Sequence, residues 1–402
     1  MRLLNAMCMS LVMLATTLGV AGAQPYERPP AVRHASDILP AAGLTGPHYR
    51  VMDKVVTFGY QHQFTVTSDF GVFEVTGDAA LRKLLREIHA IAELQKLKGS
   101  KEFAKAVGNA AMSPVYFGKD LITHPVDTVT GIPKGVFRLF GNVATSITTK
   151  KDAGTDSRLK TILLVSKNKR DYAAKLGVDV YSSNKVLQKE LNSLGWAAAA
   201  GSWAVTIAAA PFSGPGMMAF KVTRFSSSMN TVLQQEPPPR LRQINNKKLD
   251  EMEVSGDVKK RFLDHAVLSP RHKTVIVHSL SELSKASGQG KFISLALSAE
   301  DEVDANFFMQ MAETLRGYNE TVAPLVDIMV VPPMVLAKTA KGPVLIPFPL
   351  DQGVWTERAA KVIPHVLASA QVAGFTKPYE LWVTGTLSAM ARQQLSKLGI
   401  TA

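Results

Sequence analysis

Cysteine is almost absent: the 402 residues contain one, Cys8. It lies in an N-terminal stretch that reads as removable. The remaining chain then has no disulfide, no thiolate metal ligand and no cysteine nucleophile. Four motifs are also missing: G-x-x-x-x-G-K-[ST], G-x-S-x-G, H-E-x-x-H and the EF-hand loop. Their absence removes the P-loop, nucleophile-elbow, zincin and EF-hand readings. Gly131, Gly135 and Gly141 have the spacing of no phosphate loop. No recognition motif accompanies the basic charge, so nucleic acid is not an expected partner. Cofactors and metals are not expected either. The sequence is not short of apolar residues. At 46% hydrophobic and this length, it can bury a full core without staples.

Arg2, the apolar stretch Leu3 to Val20 and the A-x-A site Ala21-Gly22-Ala23 form a bacterial-type export signal over 1–23. Cleavage is expected between Ala23 and Gln24, giving a periplasmic or secreted protein. Cys8 precedes most of the apolar stretch, which argues against a lipoprotein. The formal charge is +13, and loss of Arg2 lowers it by one. A basic exported chain meets anionic envelope surfaces or another envelope protein. Its lysines are dispersed, however, and act first as solubilising charge.

The chain is organised around an uncharged run, Leu191 to Phe220. Its helix-compatible part, 194–210, falls short of a comfortable membrane span of about 20 residues. It is alanine-rich and is stopped by Pro211 and the Gly214-Pro215-Gly216 turn. A buried core helix is expected. The alternative is a membrane element, with Trp196 and Trp203 at an interface and the basic, aromatic segment near Lys134 and Arg138 assisting.

An extended segment, 24–47, precedes an alternating pattern from His48 to Val75, which predicts a small antiparallel meander. Asp78 is the expected cap of a helix that buries Leu81, Leu84, Leu85, Ile88 and Ile91 and turns Arg82, Lys83, Arg86 and Glu87 outward. Thr148 to Arg170 reads as an exposed loop leading to a helix. The run QQEPPPRLR, 234–242, reads as a stiff extended spacer between an N-terminal domain, 48–233, and a C-terminal domain, 243–402. In the second half, Ser269-Pro270 starts a helix, and 292–297 with 301–318 form a helical hairpin. Strands at 326–338 and 344–348 make an edge hairpin. A helix interrupted at Pro364, a strand at 380–384 and a last helix capped by Ser388 complete a small α/β layer. The fold class is helix-rich α+β: N-terminal β meander, helices, a central Ala-rich buried helix, then the C-terminal hairpin and α/β layer.

Candidate chemistry is sparse. His265, His272 and His278 are loosely grouped without a matching carboxylate. Asp264 and His265 are adjacent and do not face one another on a helix. His89 and Glu93 read as a solvated pair. The turn Thr384-Gly385-Thr386-Leu387-Ser388 sits where α/β layers place ligands, with Asp351 and Trp355 expected nearby. Thr384, Gly385, Ser388, Asp351 and Trp355 are therefore the weak ligand-binding candidates. The expected function is non-enzymatic binding. The competing readings are membrane association and an unrecognised hydrolase joining Asp351, Ser388 and a histidine. The export reading predicts a mature N-terminus at Gln24, which intact-mass measurement of the exported chain checks. A mass that retains Arg2 overturns it.

Overall fold

The computed structural model describes residues 26–28, 32–58, 60–101, 103–104, 153–199, 227–332, 334–340 and 342–402. The export signal, Lys134, Arg138, Trp203 and most of the central apolar run lie outside them. The fold is helix-rich α+β, with an antiparallel N-terminal sheet and a small mixed C-terminal sheet.

The first sheet comprises β1 (Val32–His34), β2 (Thr45–Gly46), β3 (Tyr49–Val51), β4 (Lys54–Phe58), β5 (Gln61–Ser68) and β6 (Gly71–Thr76), with α1 (Ala41–Leu44) between β1 and β2. Strand β5 is its spine: β6 runs along one edge, and β4 and β3 share the other. Residues 32–46, expected as a tail, belong to this sheet. Val32 pairs with Val56, and Ala35 and Leu39 are buried with Val55 and Phe64. The period-2 pattern turns Phe64 and Val66 inward. Helix α2 (Asp78–Lys98) lays Leu81, Leu84, Leu85 and Ile88 on that face.

Helices α3 (Ala153–Lys175) and α4 (Lys185–Ala199) pack together and on α2, burying Tyr172, Leu187, Leu191 and Leu194 with Ile91 and Leu94. The loop expected to run to Arg170 is therefore helical from Ala153, because Val165, Tyr172 and Leu176 bury at helical spacing. Trp196 is half-buried on α4. Among the described residues, no helix is long and apolar enough to cross a membrane.

Five further helices build the largest core: α5 (Ser227–Gln235), α6 (Pro238–Glu251), α7 (Gly256–Asp264), α8 (Pro270–Ser281) and α9 (Gln289–Ala296). The expected proline spacer is a helix junction instead. Pro237 is the N-cap of α6, and the prolines after it occupy the first turn, where their missing N–H groups go unused. One apolar cluster runs from Met229 and Leu233 through Leu241 to Leu345, across this junction. Helix α10 (Glu302–Thr321) follows, with the Asp301 carboxylate accepting from the Asp304 N–H.

The C-terminal sheet has the order β13 (Ile400–Thr401), β11 (Tyr379–Trp382), β9 (Val344–Pro347), β8 (Met334–Thr339), β7 (Leu325–Val331). The expected edge hairpin is only partly at an edge. Strand β7 is outermost, whereas β9 lies inside, parallel to β11, because all four of its residues are buried. The short strands β10 (Gln352–Gly353) and β12 (Thr386–Leu387) pair in parallel beside it. Helix α11 (Glu357–Val372) continues through Pro364, and α12 (Ala389–Lys397) closes the layer.

Phe292 is fully buried in the largest core. Phe292→Ala is expected to lower unfolding free energy by about 3–5 kcal/mol, read as a lower urea midpoint at unchanged slope.

Candidate functional site

Helix α2 starts without a cap of its own. Its N-cap is Gly77, at φ 100, a backbone conformation that suits glycine, and no side chain of the N-cap accepts there. Asp78, the expected cap, is instead the first helical residue. The acceptor comes from far along the chain. Both Asp351 carboxylate oxygens accept the Asp78 N–H at 3.2 Å, and one also accepts the His62 N–H at 2.9 Å. The Asp351 N–H in turn donates to the Tyr60 carbonyl at 2.9 Å. His62, buried under the sheet, places Nδ1 2.9 Å from the Asp78 carboxylate, while its Nε2 is enclosed without a partner. Burial and the neighbouring Asp78 charge raise the Asp351 pKa to about 6.

His62, Asp78 and Asp351 thus bring one imidazole nitrogen and two carboxylate oxygens within 4.8 Å of one another. That donor set suits a divalent ion in kind. Here, however, the Asp351 oxygens already serve three N–H contacts and the His62 Nδ1 faces Asp78, so the group reads as a clamp between distant segments. Sequence reading missed it because His62 and Asp351 are 289 positions apart.

Two members of the clamp, Asp78 and Asp351, line a cleft of about 2030 Å³. Its walls are β6, the polar side of α2, the turn before α4, the start of α8 and one side of α10. Lys83 lines it, with Nζ 3.2 Å from Glu302 and 3.9 Å from Asp179. Burial pulls the Lys83 pKa down, but Glu87, Glu302 and Asp179 outweigh it and hold the ammonium above its ordinary range. Arg271 Nε faces Asp179 at 3.8 Å. The Ser183 hydroxyl donates to Glu302, and Asn184 donates to Glu87 at 3.1 Å. Burial raises the Glu87 pKa against the pull of Lys83, whereas Lys83 and Ser183 overcome burial to lower that of Glu302.

His272 occupies the first turn of α8 in a reciprocal capping box with Ser269. Its Nδ1 accepts the Ser269 N–H at 3.2 Å, so Nε2 carries the proton and donates to Asn306 at 3.2 Å. Burial, then the Lys83 charge, lowers its pKa to about 4, so the ring is neutral near pH 7. The other two histidines of the sequence group go elsewhere: His265 meets the Leu297 carbonyl, and His278 lies 3.7 Å from Glu282. Asp264 pairs with Arg242 at 2.7 Å rather than with His265. His89 packs edge-on against Tyr49, and Glu93 pairs with Lys96.

The structure brings some turn candidates together. Thr384 accepts the Leu350 N–H at 3.0 Å and donates to its carbonyl at 2.8 Å. Gly385 passes so close that a Cβ there would stand 2.1 Å from the Asp351 carbonyl oxygen. Asp351 and Thr384 line the cleft. Trp355 and Ser388 do not join them. Trp355 is buried in the C-terminal core. Ser388 accepts the Ala391 N–H at 2.9 Å as a helix cap and donates to Glu27 at 2.5 Å.

No protein-family model, no curated protein and no solved structure matches this chain.

Asp351 has a raised pKa in the folded protein and an ordinary one, about 3.9, when unfolded. Between those values the folded state holds a proton that the unfolded state has released. The resulting stabilisation is complete below about pH 4 and is lost as pH rises through about 6. In Asp351→Asn that contribution is absent. The stability gap between wild type and variant is therefore expected to shrink from pH 4 to pH 7 in urea titrations, and a gap independent of pH overturns the assignment.

Proposed function

We propose that this chain is an exported binding protein of the bacterial envelope that holds a polar, charged ligand in the cleft between α2 and α10. One observation carries the reading: charged side chains from four separated segments converge on one large cleft, already oriented by one another. Lys83, Asp179, Arg271 and Glu302 come from α2, the turn before α4, α8 and α10. Charged groups fixed before a ligand arrives avoid the entropy of ordering them on binding, which is what a selective polar site needs. The hydrolase reading requires Ser388 beside Asp351 and a histidine. Asp351 does meet His62, but Ser388 is committed to Glu27 and to capping α12. Attraction of the basic chain to anionic envelope surfaces is compatible with binding in the cleft and does not replace it.

Gln310 lies on the cleft side of α10, half-buried. Gln310→Trp is expected to fill the cleft while leaving the cores intact. Equilibrium dialysis of wild type and variant against a mixed panel of small carboxylates, amino acids and phosphates tests the proposal. Retention of at least one compound by wild type, weakened about tenfold or more in the variant, supports cleft binding. Equal retention by both, or none by either, overturns it.

A further inference from the structure

Among the half-buried cations of the cleft, Arg86 is distinctive. Lys83 is held by Glu302 and Asp179, and Arg271 faces Asp179. Arg86 is half-buried on the cleft wall and makes no ion pair or hydrogen bond among the described residues. Its charged neighbours include like charges. Arg82 lies one helical turn earlier on α2, and Arg271 reaches the same cleft from the second position of α8. Burial, Arg271 and Arg82 together lower the Arg86 pKa, opposed by Glu87. Like charges sharing one partly dry cleft repel one another, and an anion placed among them relieves that repulsion.

The carboxylates of the protein are poorly placed to be that anion. Asp179 and Glu302 are engaged by Lys83, and Glu87 takes its hydrogen bond from Asn184. Glu313 lies in the field of Arg271 but forms no ion pair among the described residues, and burial lifts its pKa to about 7. A planar guanidinium matches the two-oxygen edge of a carboxylate or a phosphate and can donate two parallel hydrogen bonds to it.

We propose that Arg86 and Arg271, which line the same cleft, form the seat for an oxyanion group, carboxylate or phosphate, of the bound ligand. This assignment rests on the cleft-binding reading and names the chemistry that the site recognises. Arg86 supplies the free fork. Arg271 supplies the second positive charge, held in place through Asp179. The rest of the cleft remains open for the body of the ligand, with Lys83 and its carboxylates as a fixed charged floor.

The test is isothermal titration calorimetry of the full mature chain at low ionic strength and pH 7, with sodium phosphate in one arm and sodium succinate in the other. Wild type is expected to give saturable binding in at least one arm, and the stronger arm tells phosphate from carboxylate. Arg86→Gln is expected to weaken that binding about tenfold or more. Lys397→Gln, on the exposed side of α12, leaves it unchanged and controls for bulk charge. If circular dichroism shows that Arg86→Gln has lost its fold, Arg86→Lys replaces it. This variant keeps the charge but not the fork, and is expected to weaken binding at least threefold. Saturable binding that Gln310→Trp abolishes but the Arg86 variant leaves intact overturns the seat and spares the cleft. No saturable binding in either arm overturns the seat, and the wider dialysis panel then decides the cleft reading separately.

Discussion

The arrangement of the cleft depends on one carboxylate, that of Asp351. A helix start presents unsatisfied N–H groups, and a carboxyl oxygen placed there accepts from them. In most helices the side chain comes from the residue just before. Here Gly77 holds that position and offers none, so Asp351 supplies the acceptor from 273 residues away. The same side chain accepts the His62 N–H, and the adjacent backbone donates to Tyr60. Further contacts continue the seam: Arg33 donates to Gln352 at 2.7 Å, and Glu27 receives Trp355 and Ser388. The N-terminal sheet is thereby fixed to the C-terminal layer. The side of α2 that bears Arg82, Lys83 and Arg86 is held opposite α10.

Once that wall is fixed, the charges on it cannot relax into solvent as ordinary surface residues do. Lys83 is surrounded by Glu87, Glu302 and Asp179, and each of these acids has a further neutral or cationic partner. A buried network of this kind is weak evidence for stability, since desolvation offsets much of the attraction between its members. Its better-supported consequence is fixed geometry: each group is positioned by two or more others, so the whole set forms a rigid polar surface. Arg86 lines the same cleft and makes no ion pair among the described residues.

Much of the framework was legible in the sequence. Alternation marked the meander from Tyr49 to Val75, and the spacing of Leu81, Leu84, Leu85 and Ile88 marked the buried face of α2. Ser269-Pro270 and Asp301 marked two helix starts. Those signals are local, and the residues act within a turn or a hairpin of one another. What escaped was set by distance or by tertiary context. Nothing near Gly77 announces that Asp351 will cap it. Pro237 to Pro239 look extended by composition, yet the first turn of a helix tolerates them because its N–H groups have no intrahelical acceptor. The most consequential misreading concerns Arg82, Lys83, Arg86 and Glu87. Helical spacing identifies them as the face opposite the core, and the usual inference is solvent. A second wall, α10, faces them instead, and Glu87 ends 3% exposed. A polar helix face and a polar cleft wall have the same period, and only the remainder of the fold distinguishes them.

Lys83, His272 and His62 are engaged by the protein around them. A general base must be unprotonated and within reach of a substrate, and a nucleophile needs such a base beside it. Lys83 is held in its charged form by the acids around it. The neutral ring of His272 has one nitrogen occupied by Ser269 and the other by Asn306. His62 meets Asp78 through Nδ1, and its other nitrogen is enclosed without a partner among the described residues. Each of these groups is committed to the protein before a ligand arrives. Arg86 is not, and an arginine, always charged and without a proton to give near pH 7, attracts and orients rather than reacts. A fixed guanidinium on the wall is therefore of the kind that selects a ligand by its anionic end.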